Sequence, residues 1–130
     1  MATRVTPFDK TTDSNLRWWR INSNATVTEM AALPKTMGVS GRAAVVPHPN
    51  GTHILAFGGA PGDKAVIRFD PTASGGAGAW SSNLGNHSFG DNGGNDYVFY
   101  ATLHELGIVM VVQSLGGGSP TCWIYKPHSV

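Results

Sequence analysis

An aromatic-led apolar segment recurs three times along this 130-residue chain, as Arg17-Trp18-Trp19-Arg20-Ile21-Asn22, Val66-Ile67-Arg68-Phe69-Asp70-Pro71 and Cys122-Trp123-Ile124-Tyr125-Lys126-Pro127. With Ile21, Phe69 and Tyr125 aligned, the copies lie 48 and 56 residues apart. Self-similarity near 50 residues is the mark of a repeated supersecondary unit that buries its faces against its neighbours. This constrains the fold more than any local propensity does. Most of the chain must be built from a few similar sheets, stacked.

The middle unit is the most complete. Apolar stretches at 42–47, 52–57, 64–70 and 79–83 read as four short strands, and Asn50-Gly51 between the first two is a strong hairpin signal. A helix cannot replace that pair, because Pro47, Pro49 and Gly51 fall inside the window. Before it, 16–22 and 26–30 read as two strands around Ser23-Asn24-Ala25. After it, 97–103, 108–113 and 121–126 read as three more, the first two joined through His104-Glu105-Leu106-Gly107. Residues 1–15 show no period and read as an arm, leaving 16–130 as one β domain. The sequence thus predicts an all-β chain of antiparallel meanders with two, four and three strands, and a single β-sandwich or barrel as the alternative architecture.

Composition supports this reading and excludes several functions. Charged residues are 13% of the chain and 17 residues are glycine, a balance suited to tight turns. A formal net charge of +1 supplies no field for nucleic acid or an anionic membrane. The longest apolar run, Ile108 to Val112, is too short to span a bilayer. The N-terminus lacks the apolar stretch of a signal peptide. Three Asn-x-Ser/Thr sequons, at Asn24, Asn50 and Asn86, exceed the roughly one expected by chance, so a secreted, glycosylated origin is the expectation. Cys122 is alone, excluding an intrachain disulfide, and is expected to be buried as a small hydrophobe.

In the middle unit the order Ile54-Leu55-Ala56-Phe57-Gly58-Gly59, then Phe69-Asp70-Pro71, then Trp80 resembles one blade of a kelch-type β-propeller. The resemblance covers about residues 16–127. Gln113-Ser114 stands in place of the double glycine in the third unit, and Val27 in place of the tryptophan in the first. It implies propeller blades, a recognition role carried by the connecting loops, and a partner that is a protein or a carbohydrate. About two blades leave apolar faces open, so self-assembly or the remainder of a larger propeller is expected. The same resemblance implies, as the alternative, part of an extracellular carbohydrate-active or copper-oxidase-like enzyme of the galactose oxidase type, with its Cys–Tyr cofactor. Cys122 and Tyr125 are three apart on one strand and so face opposite ways, which argues against that cross-link.

No catalytic set is legible, and no cofactor or metal is expected. The five histidines lack metal-ligand spacing, and Asp91, Asn92, Asn95 and Asp96 fit no EF-hand. His48 and His53 flank a hairpin and are expected as surface turn residues. The loops 36–42, 60–64, 85–96 and 115–120 are the candidate binding elements. Arg42, Asp63, Lys64, His87 and Asp91 are their usable polar groups. Trp19 is added because adjacent Trp18 and Trp19 must face opposite ways on a strand, leaving one to stack on a ligand. Trp80 and Trp123 are expected in the core.

Overall fold

The computed structural model describes residues 17–35, 44–58, 62–87, 97–114 and 119–128. The arm expected over 1–15 lies outside these residues. Among the described residues nine strands run in chain order: β1 (Trp19–Ile21), β2 (Val27–Glu29), β3 (Ala44–Pro47), β4 (Ile54–Phe57), β5 (Ile67–Asp70), β6 (Ala79–Trp80), β7 (Tyr97–Leu103), β8 (Ile108–Ser114) and β9 (Thr121–Tyr125). They form three antiparallel meanders, β1-β2, β3-β4-β5-β6 and β7-β8-β9, and none of these closes on itself. Only two short 3-10 turns interrupt the strands, with no α-helix among the described residues. The chain is all-β, and its open sheets remove the barrel alternative.

Local chemistry sets the turns. The β3–β4 connection closes with the His48 N–H donating to the His53 carbonyl at 2.8 Å, and Gly51 takes the left-handed conformation (φ 76°) that its lack of a Cβ permits. Between β5 and β6, the ladder extends past the strands: Leu84 N–H donates to Val66 O, Val66 N–H to Gly85 O, and His87 N–H to Lys64 O. The fourth segment of the middle sheet therefore runs on to His87.

The middle sheet is covered on both faces. On one side, Leu55, Phe57, Val46 and Val66 meet Val109 and Val111 of the third sheet, flanked by Tyr100, Trp123 and Tyr125. Phe57 lies between two aromatic rings, 5.6 Å from Tyr100 and 5.1 Å from Tyr125. On the other side, Ala56 and Ile67 pack on Leu33, beside Trp80. Trp18 closes that layer edge-on to Phe69 at 4.5 Å and beside Trp80 at 5.6 Å. Both indole N–H groups donate to the carbonyl of Ala31, at 2.6 Å from Trp18 and 3.1 Å from Trp80. The order of layers is hairpin, four-stranded sheet, three-stranded sheet.

Register repeats from sheet to sheet. Phe69 pairs with Ile54 on β4, and Tyr125 pairs with Val109 on β8. Counting on from those partners brings Gln113-Ser114 to the place of Gly58-Gly59. Phe69 also pairs with Trp80, as Ile21 pairs with Val27. The aligned positions are thus equivalent in the ladders as well as in the sequence.

The expectation for Cys122 fails. Cys122 is exposed rather than buried. It alternates with Trp123 along β9, and Trp123 is the residue that faces the middle sheet. Tyr125 also faces inward, so Cys122 and Tyr125 do lie on opposite faces.

Candidate functional site

Antiparallel meanders sort their connections to two ends. The β4–β5 and β8–β9 connections leave from one end; the β3–β4, β5–β6 and β7–β8 turns lie at the other. The sheets are aligned along this axis, because the Thr102 hydroxyl donates to Pro47 O at 2.6 Å and the His104 imidazole donates through Nδ1 to Pro49 O at 3.1 Å.

Asp63, Lys64 and His87 gather at the first end. Lys64 and His87 are backbone partners, and Asp63 precedes them. Their side chains are not equally available. His87 is buried, whereas Lys64 is exposed. Asp63 accepts from Lys35 Nζ at 2.9 Å with one oxygen and from the Ala65 N–H at 3.0 Å with the other. Lys35 is almost wholly buried, and its ammonium also donates to Gly58 O at 2.7 Å. A buried ammonium is tolerated only when paired and hydrogen-bonded. Lys35 therefore ties Gly58 and Asp63 to the stretch that follows β2. Arg42 and Asp91 lie outside the described residues, as do loop 36–42 and most of 85–96 and 115–120.

Trp19 lies on a different surface, the outer face of the β1–β2 hairpin. It sits under the Arg17 guanidinium, 5.4 Å from the ring centroid, and Arg17 is held by two contacts to Glu29 at 2.6 Å. The structure brings Asp63, Lys64 and His87 together and leaves Trp19 apart.

A cleft of about 640 Å³ opens at the second end, lined by His48, Pro49, Asn50, Gly107, Lys126, Pro127 and His128. Its walls come from the β3–β4 turn, the β7–β8 turn and the stretch after β9. The β3–β4 turn is stiffened from within. His48 Nδ1 accepts from the Asn50 N–H at 3.0 Å, while Asn50 Oδ1 accepts from the N–H groups of Thr52 and His53. His48 is only 4% exposed, contrary to the expectation of a surface turn residue. The third sheet's β7–β8 turn meets this one, with His104 bonded to Pro49 O, a tertiary effect that the β3–β4 turn's own sequence does not carry. His53 does meet it across the hairpin, with ring centroids 6.1 Å apart.

Burial holds the His48 imidazole below its ordinary value of 6.5, reinforced by His53 and the Arg68 guanidinium and opposed by the Asn50 side chain. The folded state prefers neutral His48, so the unfolded chain binds the proton more readily. Stability linked to His48 is complete above about pH 6.5 and is lost as pH falls through the depressed folded value. The urea midpoint is expected to fall between about pH 7.5 and 5.5. In His48→Gln it is lower at neutral pH but flatter over that window. An unchanged slope in the variant would assign the acid sensitivity to another group.

Among the described residues, no group of three or more His, Cys, Asp or Glu side chains could hold a metal ion, and no helix is long and apolar enough to cross a membrane. No protein-family model, curated protein or solved structure matches the chain. Function is therefore argued from the site itself. Sequence reading missed Lys35, whose partner lies 28 residues away with no local signal, and the cleft around His48, for which only the Asn50-Gly51 turn gave a hint.

Proposed function

We propose that this protein is a non-enzymatic recognition module of kelch-like units that binds an acidic carbohydrate in the cleft between the turns of its second and third sheets. The carrying observation is the lining of that cleft. Pro49, Pro127 and Gly107 offer apolar and backbone surface, Asn50 offers an amide, and Lys126 and His128 offer cationic or donor groups, with no carboxylate among the lining residues. Its volume falls within the roughly 300–1,000 Å³ typical of small-ligand sites. A sugar ring presents an apolar face to a proline and hydroxyls to an amide, and a uronate or sulfate group complements the lysine. Rigid sheets hold these turns, the arrangement in which loops carry binding. The reading moves the binding end away from Asp63, Lys64 and His87, two of which are occupied or buried in the fold.

Titration with uronate-containing, sulfated and neutral oligosaccharides of equal length tests it. Binding of an acidic sugar, weakened roughly tenfold or more in Lys126→Ala with the fold intact, is the expected result. Equal binding of neutral sugars, no binding of any acidic sugar, or an unaffected Lys126→Ala would each overturn it.

A further inference from the structure

The three sheets are stacked in one sense, and this polarity gives each end of the stack a different apolar face. At aligned positions, Phe69 points from the middle sheet toward the hairpin, and Tyr125 points from the third sheet toward the middle one. Ile21, their counterpart in the hairpin, points outward and is 79% exposed. The opposite faces run the other way. Trp18 of the hairpin and Val66 of the middle sheet each point toward the sheet that follows, and their counterpart Cys122 points out of the stack. Each junction inside the molecule therefore joins a forward face to a backward face.

One forward face and one backward face remain open. The forward face belongs to β7–β9, where Phe99, Val112 and Cys122 align across the ladder, as do Ala101, Met110 and Ile124. Phe99 is 66% exposed and Ile124 69%, and no charged residue stands among these six. The backward face belongs to the hairpin, where Ile21 and the 57% exposed Val27 sit opposite one another, beside Trp19 under its Arg17–Glu29 ion pair. Contiguous apolar patches of this kind mark interaction surfaces on soluble proteins.

We infer that the β7–β9 outer face docks onto the outer face of the β1–β2 hairpin of a second copy of this chain, head to tail. The occupant is chosen by the repeated polarity: a copy's hairpin offers the same kind of face that the β7–β9 sheet itself lays against the middle sheet. Such a contact is heterologous, so it closes into a ring or extends into a fibre according to the rotation between copies.

The test uses two variants at exposed positions, Ile124→Glu and Ile21→Asp, each checked for an unchanged circular dichroism spectrum. Sedimentation of the unmodified full chain over a wide concentration range is expected to show reversible association. Each variant alone is expected to associate at least roughly tenfold more weakly. An equimolar mixture is expected to recover as a dimer and stop there, since one copy retains the forward face and the other the backward face. An unmodified chain that stays monomeric throughout overturns the proposal. So does normal association of Ile21→Asp alone, which would mean like faces meet, or a mixture that remains monomeric.

Discussion

Phe57→Ala is expected to lower the unfolding free energy by about 3–5 kcal/mol, because it empties the position on which the two larger sheets converge. Phe57 is fully buried and lies between the rings of Tyr100 and Tyr125, both from the neighbouring sheet. Alanine forfeits the burial of the ring and leaves a void bounded by two sheets. Their backbones are pinned by their own ladders, so the void closes only in part. Domains of this size are held by about 5–15 kcal/mol in total, so the variant loses a large share of its stability. Urea unfolding followed by tryptophan fluorescence measures it. Phe99→Ala is the control: in protein dilute enough to be monomeric, the same chemical change at a 66% exposed ring is expected to cost under about 1 kcal/mol. Similar losses in both variants would mean that the interface between these sheets is not where the stability resides.

That contrast also shows which parts of the fold were readable from the sequence. Strand positions came from period-two apolar runs and turn residues, and those signals are local. All three meanders appear with the predicted number of strands, and Val27 and Gln113 occupy the ladder positions that the alignment gave them. Alternation correctly separated Trp18 from Trp19 and Cys122 from Tyr125. It could not say which of two alternating faces would be covered, because that depends on where a sheet sits in the stack. Cys122 was misplaced for this reason. Its face is forward, and the third sheet is the last described.

The site was less legible than the fold. His48 is buried next to Pro49, which His104 contacts from 55 residues further along, and Lys35 is buried against Asp63, so neither environment leaves a trace in neighbouring residues. The sequence favoured loops rich in Gly, Asn and Asp at one end of the sheets. The cleft instead lies at the other end, among short hairpin turns whose proximity arises only when two sheets align.

Gly78→Ala is expected to be the most damaging single-methyl change among the described glycines, at about 2–5 kcal/mol from two separate causes. The first is backbone conformation. Gly78 has φ 77°, a left-handed setting that costs a residue with a Cβ about 1–2 kcal/mol. The second is space. A Cβ at this position would clash with the Phe69 ring, closest to Cζ and 2.6 and 2.8 Å from Cε2 and Cε1. Phe69 has no easy retreat, with Trp18 at 4.5 Å, Trp80 at 4.9 Å and only 1% of its surface exposed. Forcing such a ring aside costs about 1–3 kcal/mol. Gly51→Ala separates the two terms, since Gly51 has nearly the same φ of 76° but nothing within 4 Å of the added methyl. It is expected to show the backbone cost alone. Phe69→Leu in the Gly78→Ala background then tests the steric term directly. Leucine frees room for the methyl, so the double variant is expected to be more stable than the sum of the two single losses predicts. Equal losses at Gly78 and Gly51, or strict additivity with Phe69→Leu, would show that the ring does not rest on Gly78 and that the Trp18–Phe69–Trp80 layer packs differently.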